Sequence, residues 1–230
     1  MTVEIVATRL DVAPETIGAS YALLSSAEQQ RAQRMASGRG RGRFIVARAR
    51  LRQLLGDRLG VRSESVELTA TGNGKPVLGP RFADSDLRFN VAHCDDVAVY
   101  AIGRGQEIGI DLEAVRDMSD ADQLADRFFS GAERAVYRAL PRADRPLGFF
   151  NCWTRKEAFI KAQGDGFGYP LDRFDVSLAP GETARLLRVG DQSGDACGWR
   201  MMSFSLAGGA AGFVGAVVTE DRGGGGTDGC

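Results

Sequence analysis

The segment Leu23-Leu24-Ser25-Ser26-Ala27-Glu28 recurs 105 residues later as Phe128-Phe129-Ser130-Gly131-Ala132-Glu133. Each copy follows a run of alternating apolar and polar residues, around Val3 to Ala7 and from Ile108 to Leu112, that is typical of a strand. A shared motif behind a shared element indicates an internal repeat, and this repeat is the starting point for predicting the fold.

Two further matches occur in the same order along the chain. Gly56 to Gly60 and Gly164 to Gly168, 108 residues apart, each follow a helical pattern, and a glycine just past a helix is the expected C-cap. Phe89 to Ile102 and Phe204 to Val217, 115 residues apart, both have the pattern of a β-hairpin. The sequence therefore predicts an α+β fold made by pseudosymmetric duplication, with the active site in the cleft between two similar halves. The predicted ranges are 1–105 for the N-terminal half, 106–221 for the C-terminal half and 222–230 for a Gly-rich, disordered tail.

The composition argues against several classes of protein. With 230 residues, of which 43% are hydrophobic, the chain can bury a core without disulfides. A formal net charge of −1 gives no general attraction to nucleic acid or to an anionic membrane surface. The cysteines lack C-x-x-C spacing, and neither a signal-peptide layout nor an apolar run of membrane length is found, so we expect a cytoplasmic protein with reduced thiols.

Acidic residues suited to binding a metal ion occur only in the second copy of the repeat. Asp111 and Glu113 alternate with apolar residues on one predicted strand, so both carboxylates project from the same face. Such a pair is half of a site for a hard cation such as Mg²⁺, although alternating acids are more often the solvated face of a strand. The equivalent positions of the first copy hold Val6 and Thr8.

The first copy is basic where the second is acidic. Arg31 to Arg52 contains eight arginines and no acidic residue. At the 108-residue spacing, Arg48 corresponds to Lys156 and Ala49 to Glu157. The duplication therefore predicts a cleft in which carboxylates face guanidinium groups, an arrangement suited to a metal-bound polyphosphate. The alternative for the basic run is a solvated helix face.

The segment Cys152 to Ala162 has the pattern of a helix, with Trp153, Glu157 and Lys161 along one face. The simplest interpretation is an ordinary surface helix with one Glu–Lys pair. The large indole on the same stripe indicates instead that this face is partly buried.

Three motifs taken together resemble the surfactin-synthetase (Sfp) type of phosphopantetheinyl transferases. They are Gly109-Ile110-Asp111-Leu112-Glu113, then Arg127-Phe128-Phe129-Ser130 with Glu133, and then Trp153-Thr154-Arg155-Lys156-Glu157-Ala158-Phe159-Ile160-Lys161. Gly74-Lys75-Pro76 and Phe89-Asn90-Val91-Ala92-His93 are similar to earlier motifs of the family, so the resemblance spans Ser25 to Ser177. It implies a monomer of two similar α+β halves with coenzyme A between them.

The resemblance also implies roles for individual residues. The expected ligands of Mg²⁺ are Asp111, Glu113 and Glu157, and Lys161 is expected to neutralise phosphate charge. Contacts to coenzyme A are implied for Arg48, Gly74, Lys75, Asn90, Ala92, His93, Asp111, Lys156 and Lys161, with Arg48, Lys75 and His93 at the nucleotide end. Glu133 lies where the family has an acid near the metal. Ala92 and Cys94 replace the serines that are usual beside the histidine, so only a backbone N–H is available to bind phosphate there.

The activity implied is transfer of 4′-phosphopantetheine from coenzyme A to a serine of an acyl, peptidyl or polyketide carrier protein, with release of adenosine 3′,5′-bisphosphate. The serine proton would pass to Glu157, or to a metal-bound water supported by Glu113 or Glu133, and the sequence leaves this choice open. One rival is a binding module for coenzyme A or carrier proteins that has lost its activity. Another is a metal-dependent phosphodiesterase that transfers to water. Neither nucleic acid nor a membrane is an expected partner.

Overall fold

The computed structural model describes residues 2–72, 74–164, 169–190, 196, 198–208 and 212–221. The α-helices are α1 (Pro14–Tyr21), α2 (Ser26–Arg34), α3 (Gly38–Leu59), α4 (Ala121–Phe128), α5 (Gly131–Ala139) and α6 (Arg145–Gln163). The strands are β1 (Glu4–Arg9), β2 (Leu68–Ala70), β3 (Pro76–Leu78), β4 (Leu87–Cys94), β5 (Val97–Arg104), β6 (Ile108–Ala114), β7 (Phe174–Val176), β8 (Leu186–Val189), β9 (Trp199–Leu206) and β10 (Phe213–Glu220). The tail predicted over 222–230 lies outside the described residues.

The order of strands confirms the duplicated α+β fold. One three-stranded sheet has the order β1-β5-β4 and another has the order β6-β10-β9, so in each half the first strand lies beside the last. The predicted hairpins are β4 with β5 and β9 with β10, and Leu206 lies opposite Phe213 where the second hairpin turns. Small two-stranded sheets, β2-β3 and β7-β8, complete the correspondence between the halves.

The repeated motif begins a helix in both halves. Ser25 is the N-cap of α2 and Ser130 is the N-cap of α5, and each serine oxygen accepts from the N–H of the glutamate three residues later. Glu28 and Glu133 accept in return from the N–H of their serine, which completes a capping box. The 105-residue spacing therefore joins structurally equivalent residues.

The ends of the two long helices correct the second spacing of the repeat. Helix α3 ends at Gly60, which has a φ of 68°, and α6 ends at Gly164, which has a φ of 81°. Both glycines adopt the left-handed C-cap conformation, and they are 104 rather than 108 residues apart. The 108-residue spacing resumes at the 3₁₀ turns Ser63–Ser65 and Leu171–Arg173. Four extra residues therefore follow the helix in the second half.

This difference is about one helical turn, and it changes which residues are equivalent. Lys156 corresponds to Arg52, and Glu157 corresponds to Gln53. The prediction that Lys156 corresponds to Arg48 was wrong because it aligned the glycine-rich segments rather than the helix ends.

The chain divides into two compact units that differ slightly from the sequence halves. Among the described residues, the C-terminal unit contains 2–4, 86–92 and those from 101 to 221, and the N-terminal unit contains those from 5 to 85 and 93–100. Residues 86–92 join the C-terminal unit because their side chains reach strand β6 and the chain before it. Asn90 Oδ1 accepts from the N–H of Ile110 at 3.1 Å, and Arg88 pairs with Glu107 at 3.5 Å.

Helix α6 forms the centre of the C-terminal unit, where it packs on strands β6 and β10. Phe159 is fully buried, and its ring centroid lies 4.8 Å from that of Phe174. Arg155 is also buried. Its guanidinium donates to the carbonyl of Ser177 at 2.6 Å and to the hydroxyl of Ser203 at 3.1 Å, and these bonds compensate for the loss of water. These contacts fix the helix against the sheet that carries the predicted acids.

None of the helices in the described part of the chain combines the length and the apolar character that crossing a membrane requires.

Candidate active site

Strand β6 presents Asp111 and Glu113 on the face that α6 covers. Ile110 and Leu112 point to the opposite face and are buried, as the alternation predicted. Asp111 is only 6% exposed, and the side chain of Glu113 is 27% exposed. The two acids are therefore not the solvated face of a strand.

Gly109 allows α6 to lie directly on this strand. A Cβ atom at position 109 would lie 2.0 Å from the carbonyl oxygen of Ala158 and 2.4 Å from the nitrogen of Ala162. No side chain fits in that space, so glycine sets the distance between helix and strand. The close approach brings the last turns of α6 to Asp111.

The predicted stripe of Trp153, Glu157 and Lys161 is half-buried, which confirms the interpretation based on the indole. Trp153 stacks on Phe149, with ring centroids 6.1 Å apart and planes 12° apart, and its edge meets Phe128 at 5.5 Å. These aromatic contacts hold the first end of the stripe against the protein.

Lys161 and Asp111 form the central ion pair of the site. Lys161 Nζ lies 2.6 Å from Asp111 Oδ1, and the two side chains are 31% and 9% exposed. Burial raises the pKa of Glu157, the negative charges of Asp111 and Glu113 raise it further, and Lys161 opposes them. Three acids and one ammonium group thus interact within one half-buried region.

The donor set fits a hard divalent cation. Asp111, Glu113 and Glu157 offer carboxylate oxygens, the ligands that Mg²⁺ prefers, and their mutual repulsion would be relieved by positive charge. Among the described residues, no group of three or more Asp, Glu, His or Cys side chains lies close enough together to hold a metal ion. The metal site therefore stays a prediction that rests on the chemistry of these side chains.

Lys156, one of the predicted coenzyme contacts, is buried among acceptors of the protein itself. It is 1% exposed, and its ammonium donates to the carbonyls of Leu171 at 2.6 Å and Phe174 at 2.7 Å and pairs with Glu133 at 2.8 Å. A lysine has three donors, and these three acceptors use all of them. Lys156 is thus occupied inside the protein and does not present its charge to a phosphate.

Glu133, the acid that pairs with Lys156, is also buried and hydrogen-bonded within the protein. It is 2% exposed, and its oxygens accept from the N–H of Ser130, from the N–H of Val176 at 2.8 Å and from Lys156. Burial raises the pKa of Glu133, while Lys156 and the two backbone donors oppose that shift. A catalytic role for Glu133 stays a prediction that none of these contacts supports.

Arg48 belongs to the N-terminal unit, where it forms an ion pair with Glu28. Its Nε lies 3.4 Å from Glu28 Oε1, its side chain is 17% exposed, and its guanidinium lies 5.9 Å from the ring centroid of Phe44. Burial lowers the pKa of Arg48, and the charge of Glu28 opposes that shift. Binding of the 3′-phosphate by Arg48 stays a prediction.

The other predicted nucleotide contacts in this unit lie on accessible segments. Lys75 is partly exposed and Gly74 has a φ of 79° in the turn between β2 and β3, where the N–H of Gly74 donates to Thr71. His93 is exposed near the end of β4. Their contacts to coenzyme A also remain untested.

Asn90 and Ala92 belong to the C-terminal unit and are both buried, at 3% and 4% exposed. The side-chain oxygen of Asn90 already accepts a hydrogen bond from the backbone N–H of Ile110 in strand β6. A contact from Asn90 or Ala92 to the coenzyme stays a prediction, and for Ala92 it would be a backbone contact.

The basic run of the first half is partly neutralised by acids from outside it. Asp11 binds Arg39 and Arg43, and Glu28 binds Arg48 and Arg52. The two guanidinium groups hold the pKa of Asp11 well below its usual range. The sequence did not reveal this pairing because both acids lie before the run.

Arg116 is a residue near the site that the motifs missed. Its guanidinium lies 3.8 Å from Glu113 and 5.0 Å from the ring centroid of Phe150. The only signal in the sequence is its position three residues after Glu113, just past the end of the strand.

Two family models match the chain. The model described as the 4′-phosphopantetheinyl transferase superfamily matches residues 107–205, and the model described as the N-terminal part of 4′-phosphopantetheinyl transferase matches residues 13–104. The two matches meet between the predicted halves.

Individual proteins are similar over most of the chain. The 4′-phosphopantetheinyl transferase HetI of Nostoc sp. is 43% identical over 165 residues, which are 72% of this chain and 69% of that protein. The slr0495 protein of Synechocystis sp. is 34% identical over 80% of this chain and 73% of its own length. The 4′-phosphopantetheinyl transferase Sfp of Bacillus subtilis is 34% identical over 55% of this chain and 58% of its own length.

Proposed function

Because the chain belongs to the 4′-phosphopantetheinyl transferase superfamily, we propose that it transfers the phosphopantetheine arm of coenzyme A to a serine of an apo acyl, peptidyl or polyketide carrier protein. Adenosine 3′,5′-bisphosphate would be the second product. The observation that carries the proposal is the 2.6 Å pair between Lys161 and Asp111, with Glu113 and Glu157 in electrostatic contact with it. These side chains would supply carboxylate ligands for a cation and a positive charge for phosphate.

Asp111, Glu113 and Glu157 would hold Mg²⁺. When bound, the ion would neutralise charge on the pyrophosphate of coenzyme A, which is the main requirement of phosphoryl transfer. Lys161 would add a second positive charge on the same side, because its ammonium is already fixed by Asp111.

In the transfer itself, the serine oxygen forms a bond to the phosphorus that carries pantetheine. The bond from that phosphorus to the bridging oxygen breaks, and its electron pair leaves with adenosine 3′,5′-bisphosphate. The serine proton passes to a carboxylate oxygen of Glu157 or to a water that Glu113 supports. The burial of Glu133 and its bonds to three donors argue against Glu133 as the acceptor.

The nucleotide end of coenzyme A would be held by Arg48, Lys75 and His93. Arg48 lies beside Glu28, Lys75 is partly exposed and His93 is exposed. Charge-assisted bonds from these groups to the 3′-phosphate would favour coenzyme A over donors that lack it. We further propose that the protein acts as a cytoplasmic monomer, which sedimentation and cell fractionation test.

The deciding experiment incubates the protein with coenzyme A, Mg²⁺ and a panel of apo carrier proteins, and reads the mass of each carrier. Addition of one phosphopantetheine per acceptor serine is the expected result. The Asp111→Ala variant serves as the matched control, because it removes one acid of the group.

Two other outcomes would replace the proposal. Release of adenosine 3′,5′-bisphosphate without any carrier would identify a phosphodiesterase that transfers to water. Binding of coenzyme A with no product from any carrier would identify a binding module.

A further inference from the structure

The N-terminal unit contains the same buried cation arrangement that holds Lys156 in the C-terminal unit. Arg52 is 2% exposed, and its Nε lies 2.7 Å from Oε2 of Glu28, the capping-box glutamate. Its Nη1 donates to the carbonyl of Val66 at 2.8 Å and to the carbonyl of Ser63 at 3.3 Å. We call each set of glutamate, buried cation and two carbonyls a clasp.

The two clasps use equivalent positions throughout. Glu28 and Glu133 are both the third residue of a capped helix. Ser63 and Leu171 each begin a 3₁₀ turn, and Val66 and Phe174 each follow that turn. Arg52 and Lys156 both stand eight residues before the glycine that ends the long helix.

Each clasp joins the long helix of its unit to the capped helix and to the turn that follows. A buried cation without acceptors would be very costly, so the helix is held in the orientation that keeps all three contacts. In the C-terminal unit the ring of Phe174 adds a cation–π contact, with its centroid 4.1 Å from Lys156 Nζ. The clasp therefore fixes the rotation of α6 about its axis.

This rotation determines where the acids of α6 point. Successive residues of an α-helix are about 100° apart, so holding Lys156 inward sets the direction of Glu157. One turn further along, the same rotation places Lys161 on Asp111 at 2.6 Å. The equivalent residue of Glu157 in the N-terminal unit is Gln53, which offers no carboxylate.

We propose that the Glu133–Lys156 clasp is a positioning device for Glu157 and Lys161. It acts through the helix and does not touch coenzyme A or the ion. The inference rests on the proposed function, because it assigns the clasp a role in the predicted Mg²⁺ site beyond its contribution to folding.

The test measures Mn²⁺ binding by electron paramagnetic resonance, with and without coenzyme A, at a temperature where circular dichroism shows that each variant is folded. Lys156→Met should weaken Mn²⁺ affinity by at least about tenfold, as loss of a group that orients metal ligands does. Lys156→Arg should retain most of the affinity, because Arg52 shows that a guanidinium can make the same three contacts.

The matched control is Arg52→Met, which breaks the other clasp. It should lower the melting temperature as Lys156→Met does, and Mn²⁺ affinity should stay at the wild-type value. If Lys156→Met is too unstable to study, the double variant Glu133→Gln/Lys156→Met removes the unpaired buried charge and carries the same test.

Wild-type Mn²⁺ affinity in folded Lys156→Met or in the double variant would overturn the inference, because the clasp would then stabilise the fold only. Equal weakening by Arg52→Met would also overturn it, since the effect would come from lost stability. A wild-type protein that binds Mn²⁺ but modifies no carrier would refute the proposed transfer while leaving the positioning result readable. A wild-type protein that does not bind Mn²⁺ at all would refute both.

Discussion

At the scale of single residues, Glu157 is partly buried and interacts with two carboxylates and one ammonium group. Burial and the charges of Asp111 and Glu113 raise the pKa of Glu157, and the charge of Lys161 opposes them, so a bound cation would favour the ionised form of Glu157. We expect Asp111→Ala and Glu157→Ala each to abolish carrier modification while the protein stays folded. Mass spectrometry of the carrier and circular dichroism of the variant check the two halves of this prediction.

A control for these variants lies in the same unit. Asp175 pairs with Arg188 at 2.7 Å, as Asp111 pairs with Lys161, and it has no place in the proposed chemistry. Asp175→Asn should lower the melting temperature and retain transfer. Substantial turnover by Asp111→Ala at saturating Mg²⁺ would end the interpretation of the three acids as one site.

Substitution of Arg48 tests the proposed contact between this residue and the 3′-phosphate of coenzyme A. Charge-assisted contacts are worth about 1.5 to 3 kcal/mol, so Arg48→Ala should reduce kcat/KM for coenzyme A by roughly ten- to a hundredfold. Turnover at saturation should fall less, because the 3′-phosphate is remote from the reacting phosphorus. The measurement compares wild type and variant with coenzyme A and with 3′-dephospho-coenzyme A.

The second donor is the control in this experiment. If Arg48 binds the 3′-phosphate, the substitution should matter little for a donor that lacks this group. Equal losses with both donors would mean that Arg48 acts through its pair with Glu28 on the fold, or on another part of the substrates.

The residues of the site show what local patterns can and cannot reveal. Alternation predicted that Asp111 and Glu113 share a strand face, and helical spacing predicted that Glu157 and Lys161 share a helix face. That these residues belong to one site was implied only by the resemblance to the family. The interior position of Lys156 was not predictable, because its partner Glu133 is 23 residues away and meets it only in the folded unit. A lysine next to a predicted metal ligand is easily taken for a phosphate ligand when only the sequence is known.

At the scale of elements, the contact between α6 and β6 depends on Gly109. An added methyl group there meets the backbone of Ala158 and Ala162, and backbone atoms move less readily than side chains. We expect Gly109→Ala to cost about 1 to 3 kcal/mol of unfolding free energy, or more, through overpacking. It should also remove transfer, because the helix must move away from Asp111. Urea unfolding and the carrier assay measure the two effects.

Gly18 supplies the matched control. It lies exposed in helix α1, and a Cβ atom there would meet nothing within 4 Å. Gly18→Ala should therefore stabilise the protein by about 0.5 to 1 kcal/mol, since alanine is the better helix former. An unchanged stability for Gly109→Ala would show that α6 can shift without cost.

The elements themselves were largely predictable. Strands β1 and β6 were predicted from alternation, and the repeated segment that contains Ser25 and Ser130 proved to begin helices α2 and α5 with a capping box. The register of α3 against α6 was not predictable, because the glycines after the two helices offer several alignments. Only the left-handed conformations of Gly60 and Gly164 select one of them.

At the scale of the whole molecule, alkaline pH should reduce stability through a buried phenol. Burial and the hydrogen bond to Asp122 raise the pKa of Tyr137 to about 12. Because this value lies above the ordinary pKa of about 10, the folded protein holds the proton more tightly than the unfolded chain does. The resulting stability is fully present below pH 10 and is lost as the pH rises through about 12.

Tyr137→Phe isolates this contribution. The difference in unfolding free energy between wild type and variant, measured in urea at pH 8 and at pH 11, should shrink at the higher pH. A difference that stays constant would show that the phenol titrates alike in the folded and unfolded states.

The duplicated clasp also bears on how copies of this chain would diverge under selection. Both halves contain a buried cation held by a glutamate and two carbonyls, whereas the acids predicted to bind a metal ion are found in the second half only. Selection for folding alone would preserve Glu133 and Lys156 in a descendant that had lost Asp111. Such a descendant would be an intact but silent pseudoenzyme. If the proposed function is correct, the presence of Asp111, Glu113 and Glu157, rather than that of Lys156, would distinguish an active descendant from an inactive one.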